Sequence, residues 1–141
     1  NYINRDSKIC PEYLAYFPKE IRPKWQIVSF FRGRLYDLTV LQLRCKMSSA
    51  EARAILDTYT PKAKFVKEGY NSAAVNGKAY WIHRFRDVPN GGFAPLPGHF
   101  KVMVLYIDPK APESKWQMYY SCGIAVSTKT NEVIYWATYP G

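Results

Sequence analysis

The pattern of hydrophobic and polar positions predicts a β-hairpin in the first third of the chain. β-Branched and aromatic residues are concentrated from Trp25 to Phe31 and from Leu35 to Met47, which is typical of strands. The intervening Arg32, Gly33 and Arg34 predict the turn. Alternation assigns one face of the second strand to the core, and its members are Leu41, Leu43, Cys45 and Met47. The opposite, more polar face carries Val40, Gln42, Arg44 and Lys46.

A helix is predicted directly after this hairpin. Ser48 and Glu51 are spaced as in a capping box, in which the two side chains satisfy backbone groups at a helix start. Four apolar residues then follow at helical spacing, and they are Ala52, Ile55, Leu56 and Tyr59. Pro61 prevents continuation. The sequence therefore predicts a helix over about 49–59 with its apolar stripe on the sheet.

The second half of the chain predicts further strands. Asn76 and Gly77 form a turn signal before a strand from Lys78 to Asp87. Val88 to Gly98 holds three prolines and three glycines and is predicted to be a loop. Three more strands are predicted from His99 to Ile107, from Lys115 to Val126 and from Glu132 to Thr138.

Together these elements predict one α+β domain over residues 1–141. We expect an antiparallel sheet of about five or six strands with the main helix packed on one face. Residues 1–24 contain three prolines and are predicted to be irregular, except for a short N-terminal helix from Glu12 to Tyr16.

The net charge and the aromatic content of the chain indicate a binding function. The net charge is +9 and aromatic residues make up 16% of the chain. If the hairpin places Arg32, Arg34, Arg44 and Lys46 on one side, they form a basic strip that could follow the phosphates of single-stranded nucleic acid. The same residues also suit the solvated face of an edge hairpin. Because tyrosine, tryptophan and arginine are enriched at protein interfaces, the favoured partner is another protein.

Three cysteines and two histidines are the residues on which a catalytic hypothesis depends. Cys45 and Cys122 both lie on predicted core faces, so they are candidates for a disulfide, with Cys10 as another available partner. A cysteine nucleophile needs a histidine close by, and only His83 and His99 are present. No nucleophile, zinc, Walker or dinucleotide motif occurs. The sequence therefore disfavours an enzyme and predicts neither a cofactor nor a metal.

The sequence also gives expectations about compartment. The longest apolar run has six residues, from Val102 to Ile107, which is too short to span a bilayer. The start at Asn1 rather than methionine suggests an exported chain, periplasmic or secreted, from which a signal peptide has been removed. The odd number of cysteines leaves room for a lipid-bearing cysteine before residue 1.

The favoured function is a small exported protein-binding module, such as an inhibitor or an immunity-type protein. The alternatives are a domain that binds single-stranded nucleic acid and an enzyme with a dispersed Cys/His site. The predicted contacts come from an aromatic and basic surface and from the loop at 88–98, and these residues are Arg32, Arg34, Arg44, Lys46, Phe93, Leu96, Tyr119, Tyr135 and Trp136.

Overall fold

The computed structural model describes most of the predicted sheet and its helix. The described residues are 25–35, 37–70, 85–87, 92–93, 96–111 and 119–140. The predicted N-terminal helix and most of the strand predicted from Lys78 to Asp87 lie outside them. Among the described residues, no helix is long and apolar enough to cross a membrane.

The described strands form one six-stranded antiparallel sheet and one short hairpin. The strands of the large sheet are β1 (Gln26–Leu35), β2 (Leu38–Lys46), β3 (Phe65–Tyr70), β6 (Leu96–Ile107), β7 (Ser121–Ser127) and β8 (Glu132–Pro140). Their order across the sheet is β1-β2-β8-β7-β6-β3. The short hairpin pairs β4 (Arg86–Asp87) with β5 (Gly92–Phe93). The predicted α+β class and antiparallel sheet are confirmed.

The helix α1 (Ser49–Tyr59) forms as the capping pattern predicts. The Ser48 hydroxyl accepts a hydrogen bond from the Glu51 backbone N–H at 3.2 Å and donates one to the Glu51 carboxylate at 2.9 Å. Trp25 Nε1 donates to the same carboxylate at 2.5 Å, which ties the start of β1 to the start of α1. A 3₁₀ turn (Thr60–Lys62) containing Pro61 ends the helix.

The sheet is buried on both faces. The apolar run from Val102 to Ile107 predicts this for its own strand, whereas the polar residues of β2 predict a single core face. The helix face of the sheet carries the predicted core residues of β2 together with Met103, Ile124 and Val133. The far face carries a second apolar cluster, and its members are Phe85, Leu96, Phe100, Val102, Val104, Ala125, Ile134 and Trp136. Gln42, predicted on the polar face, is 1% exposed. All seven residues of β7 are buried for the same reason.

Gly123 lies directly beneath the ring of Trp136 on the far face. It pairs with Trp136 of β8, and the indole ring occupies the space in which a side chain at 123 would stand. Trp136 is fully buried and meets Phe85 edge to face, with ring centroids 5.4 Å apart. The glycine therefore gives the largest side chain of this core its place in the sheet.

The predicted turn at Arg32, Gly33 and Arg34 is wrong. All three residues lie within β1, and the chain reverses between Leu35 and Leu38. The Phe31 ring lies where a Cβ of Gly33 would stand, so the ring covers the glycine within the strand. A glycine between two arginines resembles a turn in sequence, but pairing with β2 extends the strand through it.

Two further predictions need correction. Gly92 and Phe93 form β5 and β6 begins at Leu96, so these parts of 88–98 are strand rather than loop; residues 88–91 and 94–95 lie outside the described residues. The strand predicted from Lys115 begins at Ser121, while 112–118 are not described. β3, an edge strand, was not predicted, because its short sequence FVKEGY alternates poorly.

Candidate interaction surface

The four basic residues of the predicted strip do not share one face. In the register of β1 with β2, Arg32 pairs with Leu41 and Arg34 pairs with Thr39. Directly paired residues point to the same face of a sheet, so Arg32 and Arg34 belong to the helix face. Arg44 and Lys46 alternate with the core residues of β2 and belong to the far face. The continuous basic strip suggested by the sequence is absent from the hairpin.

Arg44 is held inside an ion pair on the far face. Its Nε donates to the Glu132 carboxylate at 2.7 Å, and its guanidinium lies 5.5 Å from the centroid of the Phe100 ring. Burial alone raises the pKa of Glu132, but the hydrogen bond and charge of Arg44, together with the charge of Lys46, bring that pKa below its ordinary value. Arg44 therefore stabilises the sheet and is already neutralised by a carboxylate.

The ion pair leads to a prediction about stability in acid. Because the pKa of Glu132 in the folded chain is below its ordinary value of 4.5, its stabilisation is complete above that value and is lost as the pH falls through the lower, folded value. We expect Glu132→Gln to lower the free energy of unfolding by about 1.5 kcal/mol at neutral pH and by far less in acid. Urea denaturation over a pH series measures this difference, with Asp57→Asn on the exposed face of α1 as the control. An equal loss of unfolding free energy at neutral and at acid pH would contradict this prediction.

The predicted aromatic contacts are mostly buried. Tyr135 lies in the helix-face core and Trp136 in the far-face core, so neither side chain reaches a partner from this sheet. Leu96 is also buried, whereas Tyr119 is half-buried just before β7. Phe93 lies on β5. Of the predicted contact residues, Arg32, Arg34 and Lys46 are exposed.

Cys45 and Cys122 are buried free thiols, so the predicted disulfide between them is wrong. They lie on β2 and β7 with β8 between them, and they pair with Val133 and Ala137, four residues apart along β8. Strand spacing and rise place their Cα atoms roughly 16 Å apart, whereas a disulfide requires less than about 7 Å. The two cysteines lie on the same face of the sheet, but β8 keeps them apart.

Burial also lowers the reactivity of the two thiols. Burial raises the pKa of Cys45 to about 11 and that of Cys122 to about 12, although the charge of Lys64 acts in the opposite direction on Cys122. We expect iodoacetamide at neutral pH to leave both unmodified in the folded chain and to modify both after unfolding, because the thiolate is the reactive form. Peptide mapping by mass spectrometry measures this. Rapid alkylation of either cysteine in the folded chain would contradict it.

The described residues contain no Cys/His pair. His99 lies on β6 seven residues from Tyr106, the partner of Cys122, which is a separation of roughly 20 Å. Three strand spacings separate His99 from Cys45. His83 lies outside the described residues. No group of three or more metal-ligating side chains occurs in the described part of the chain.

His99 instead contacts a serine. Its Nδ1 lies 2.7 Å from the Ser127 hydroxyl, which also accepts a hydrogen bond from the Thr130 backbone N–H at 3.2 Å. Ser127 is fully buried, and none of the hydrogen bonds described for His99 joins it to a carboxylate. The pair therefore closes the turn between β7 and β8 and lacks the open nucleophile of a hydrolase.

With the basic strip, the buried aromatic residues and the Cys/His pair excluded, β1 provides the candidate interaction surface. Among the described strands it pairs only with β2, and Ile27 and Val28 at its start are 51% and 48% exposed. The register shifts between Ile27 and Ser29, which marks a bulge. Arg32 and Arg34 are exposed toward its other end. We call Ile27, Val28, Arg32 and Arg34 the β1 edge surface; sequence patterning found the arginines and missed the apolar pair.

Both charged side chains of the β1 edge surface are cationic. β1 has the sequence QIVSFFRGRL and contains no acidic residue. An edge strand presents backbone N–H and C=O groups to which an added strand can pair. β1 thus has an apolar end and a cationic end, and among the described strands one of its edges is unpaired. No protein-family model, curated protein or solved structure matches the chain.

Proposed function

We propose that the chain is a protein-binding module that adds an extended segment of its partner to the open edge of β1. The observation that carries the proposal is the combination of exposed Ile27 and Val28 with exposed Arg32 and Arg34 on one edge strand. Main-chain hydrogen bonds supply affinity in this mode of recognition, and the side chains at alternate positions supply specificity.

The partner segment should carry acidic and apolar residues in the matching order. Arg32 and Arg34 are two residues apart and point to the same face, so they favour two carboxylates separated by one residue. Ile27 and Val28 favour apolar side chains several residues away. An inhibitor or immunity-type protein can use such a surface to cover a strand of its target.

Single-stranded nucleic acid is the weaker candidate. A phosphate-binding surface needs several cations along one groove together with aromatic faces for stacking. Arg44 is paired with Glu132, Arg32 and Arg34 point to the other face, and Tyr135 and Trp136 are buried. These contacts favour a protein partner. Export stays a prediction.

The proposal is tested with synthetic peptides and fluorescence anisotropy. The first peptide has two glutamates separated by one residue, then three spacers and two valines, which matches an antiparallel added strand. The second has the reverse order, which matches a parallel one, and the third is a scramble of the same composition. A single-stranded oligonucleotide of equal length is the fourth probe.

We expect one of the two ordered peptides to bind saturably and at least about tenfold more tightly than the scramble, which is about 1.4 kcal/mol. Binding should survive moderate salt, because main-chain pairing is not screened as phosphate contacts are. Equal binding of all three peptides would contradict the proposal. So would binding of the oligonucleotide alone, which would instead support the nucleic-acid hypothesis.

A further inference from the structure

The other edge of the sheet has a different character. β3 pairs only with β6 among the described strands, and Phe65 and Val66 are 42% and 39% exposed. Lys64 and Glu68 are exposed on either side of them. The register with β6 shifts after Glu68, where Gly69 has a φ of 72°. The pairing with β6 is regular over residues 65–68, and Lys64 adjoins it through a hydrogen bond from its backbone N–H to the Val104 carbonyl oxygen at 2.8 Å.

The faces of β3 follow from its pairing with β6. Val66 pairs with Met103 and Glu68 with Lys101, so both point to the helix face. The Lys64 ammonium lies 5.7 Å from the centroid of the Tyr106 ring, which also borders the helix-face core, and places Lys64 on that side. Phe65 and Lys67 alternate to the far face.

We propose that two copies of the chain associate by antiparallel pairing of their β3 edges, with Val66 on the two-fold axis. A two-fold axis normal to the sheet keeps each face continuous, so residues can oppose only residues of the same face. With Val66 opposite Val66 of the partner subunit, Lys64 is opposite Glu68 of the partner subunit. Phe65 is then opposite Lys67 of the partner subunit.

This register is self-complementary. The symmetry repeats the Lys64 and Glu68 ion pair on each side of the axis, and it repeats the contact between Phe65 and the lysine side chain on the far face. Both exposed apolar side chains are covered. Shifting the partner by two residues, the smallest shift that keeps the faces matched, places Lys67 opposite Lys67 of the partner subunit in one direction and Phe65 opposite Phe65 of the partner subunit in the other. Either shift removes both ion pairs between Lys64 and Glu68. The β1 edge surface cannot supply an equivalent contact to a second copy, since β1 has no acidic residue.

The test is a set of charge variants studied by sedimentation equilibrium over a concentration series. Wild-type protein should show a reversible monomer–dimer equilibrium, and it should be weak because a single short strand pair buries little area. We expect Lys64→Glu and Glu68→Lys each to weaken the dimer by about tenfold, because each replaces two ion pairs by two like-charge contacts. Lys129→Glu, in the exposed β7–β8 turn, should leave the dimer unchanged.

Restoring the dimer by a second charge change distinguishes this register from other registers of the two strands. The double variant K64E/E68K should dimerise as wild type does, and an equal mixture of the two single variants should form a heterodimer in which both ion pairs are present. Circular dichroism on each variant establishes that the monomers remain folded. A chain that stays monomeric at every concentration overturns the proposal, as does a dimer that neither the double variant nor the mixture restores.

Discussion

Replacing Gly123 by alanine should lower the free energy of unfolding by about 3 kcal/mol, at the upper end of the usual cost of overpacking a core. A Cβ at this position would overlap the indole ring of Trp136 and crowd the carbonyl oxygen of Met103. The ring is fully buried against Phe85, so it has no open space into which to move. Thermal and urea denaturation measure the effect.

Gly98→Ala is the matched control, because no atom lies within 4 Å of a Cβ built at Gly98. The same substitution should change the free energy of unfolding by less than about 0.5 kcal/mol there. A double variant with Trp136→Phe should recover part of the loss caused by Gly123→Ala, since the smaller ring leaves room for the methyl group. If Gly123→Ala unfolds no more easily than Gly98→Ala, the close packing of the far face is wrong.

Reversing the charge of Arg32 and Arg34 together should weaken binding of the preferred acidic peptide by about a hundredfold, which is about 2.7 kcal/mol. Each substitution removes an attraction to a carboxylate and adds a repulsion. Both side chains are exposed on the edge strand, so the fold should remain intact. Fluorescence anisotropy gives the affinity, and circular dichroism establishes the fold.

Lys110→Glu with Lys129→Glu provides the control for net charge, because both residues are exposed in turns outside β1. This pair should change affinity only through the screened overall charge. A peptide with lysines in place of its glutamates should bind the reversed variant better than wild type. Equal losses from the two pairs of substitutions would mean that overall charge, and not the β1 edge surface, attracts the peptide.

The elements that the sequence predicts well are those in which one local signal decides the structure. Ser48 caps the helix at the predicted place by accepting from the Glu51 N–H, while the Glu51 carboxylate binds the Ser48 hydroxyl, and the helix ends at the predicted place. In β2, alternation identified Leu41 and Leu43 correctly because the helix covers that face. These features depend on neighbours within a few residues, which a sequence records directly.

The failures arise where distant residues decide. Gln42 and Ser121 have the polar side chains of a solvated face, yet Phe85, Trp136 and their neighbours form a second core on that side. Gly33 resembles a turn residue because the Phe31 ring that covers it is seen only in three dimensions. The cysteines share a face but lie on strands that β8 separates. Strand order separates the two cysteines and is not a local property. At Gly33, pairing of β1 with β2 decides the structure, although Phe31 is close in sequence.

The candidate surface could be predicted only in part, because its composition depends on strand order and register. Arg32 and Arg34 were identified from charge alone, whereas their grouping with Arg44 and Lys46 required a register that the sequence does not specify. The exposure of Ile27 and Val28 follows from the position of β1 at the edge of the sheet. A buried central strand and an edge strand can have the same apolar composition.

Amide hydrogen exchange with and without the preferred peptide tests the central claim most directly, since it reports where an added strand pairs. If β1 accepts the peptide as a seventh strand, amides within Ser29 to Leu35 should exchange more slowly in the complex, while those of α1 and β3 should be unchanged. Protection of α1 or β3 with no change in β1 would contradict the account, because the peptide would then bind without using the open edge.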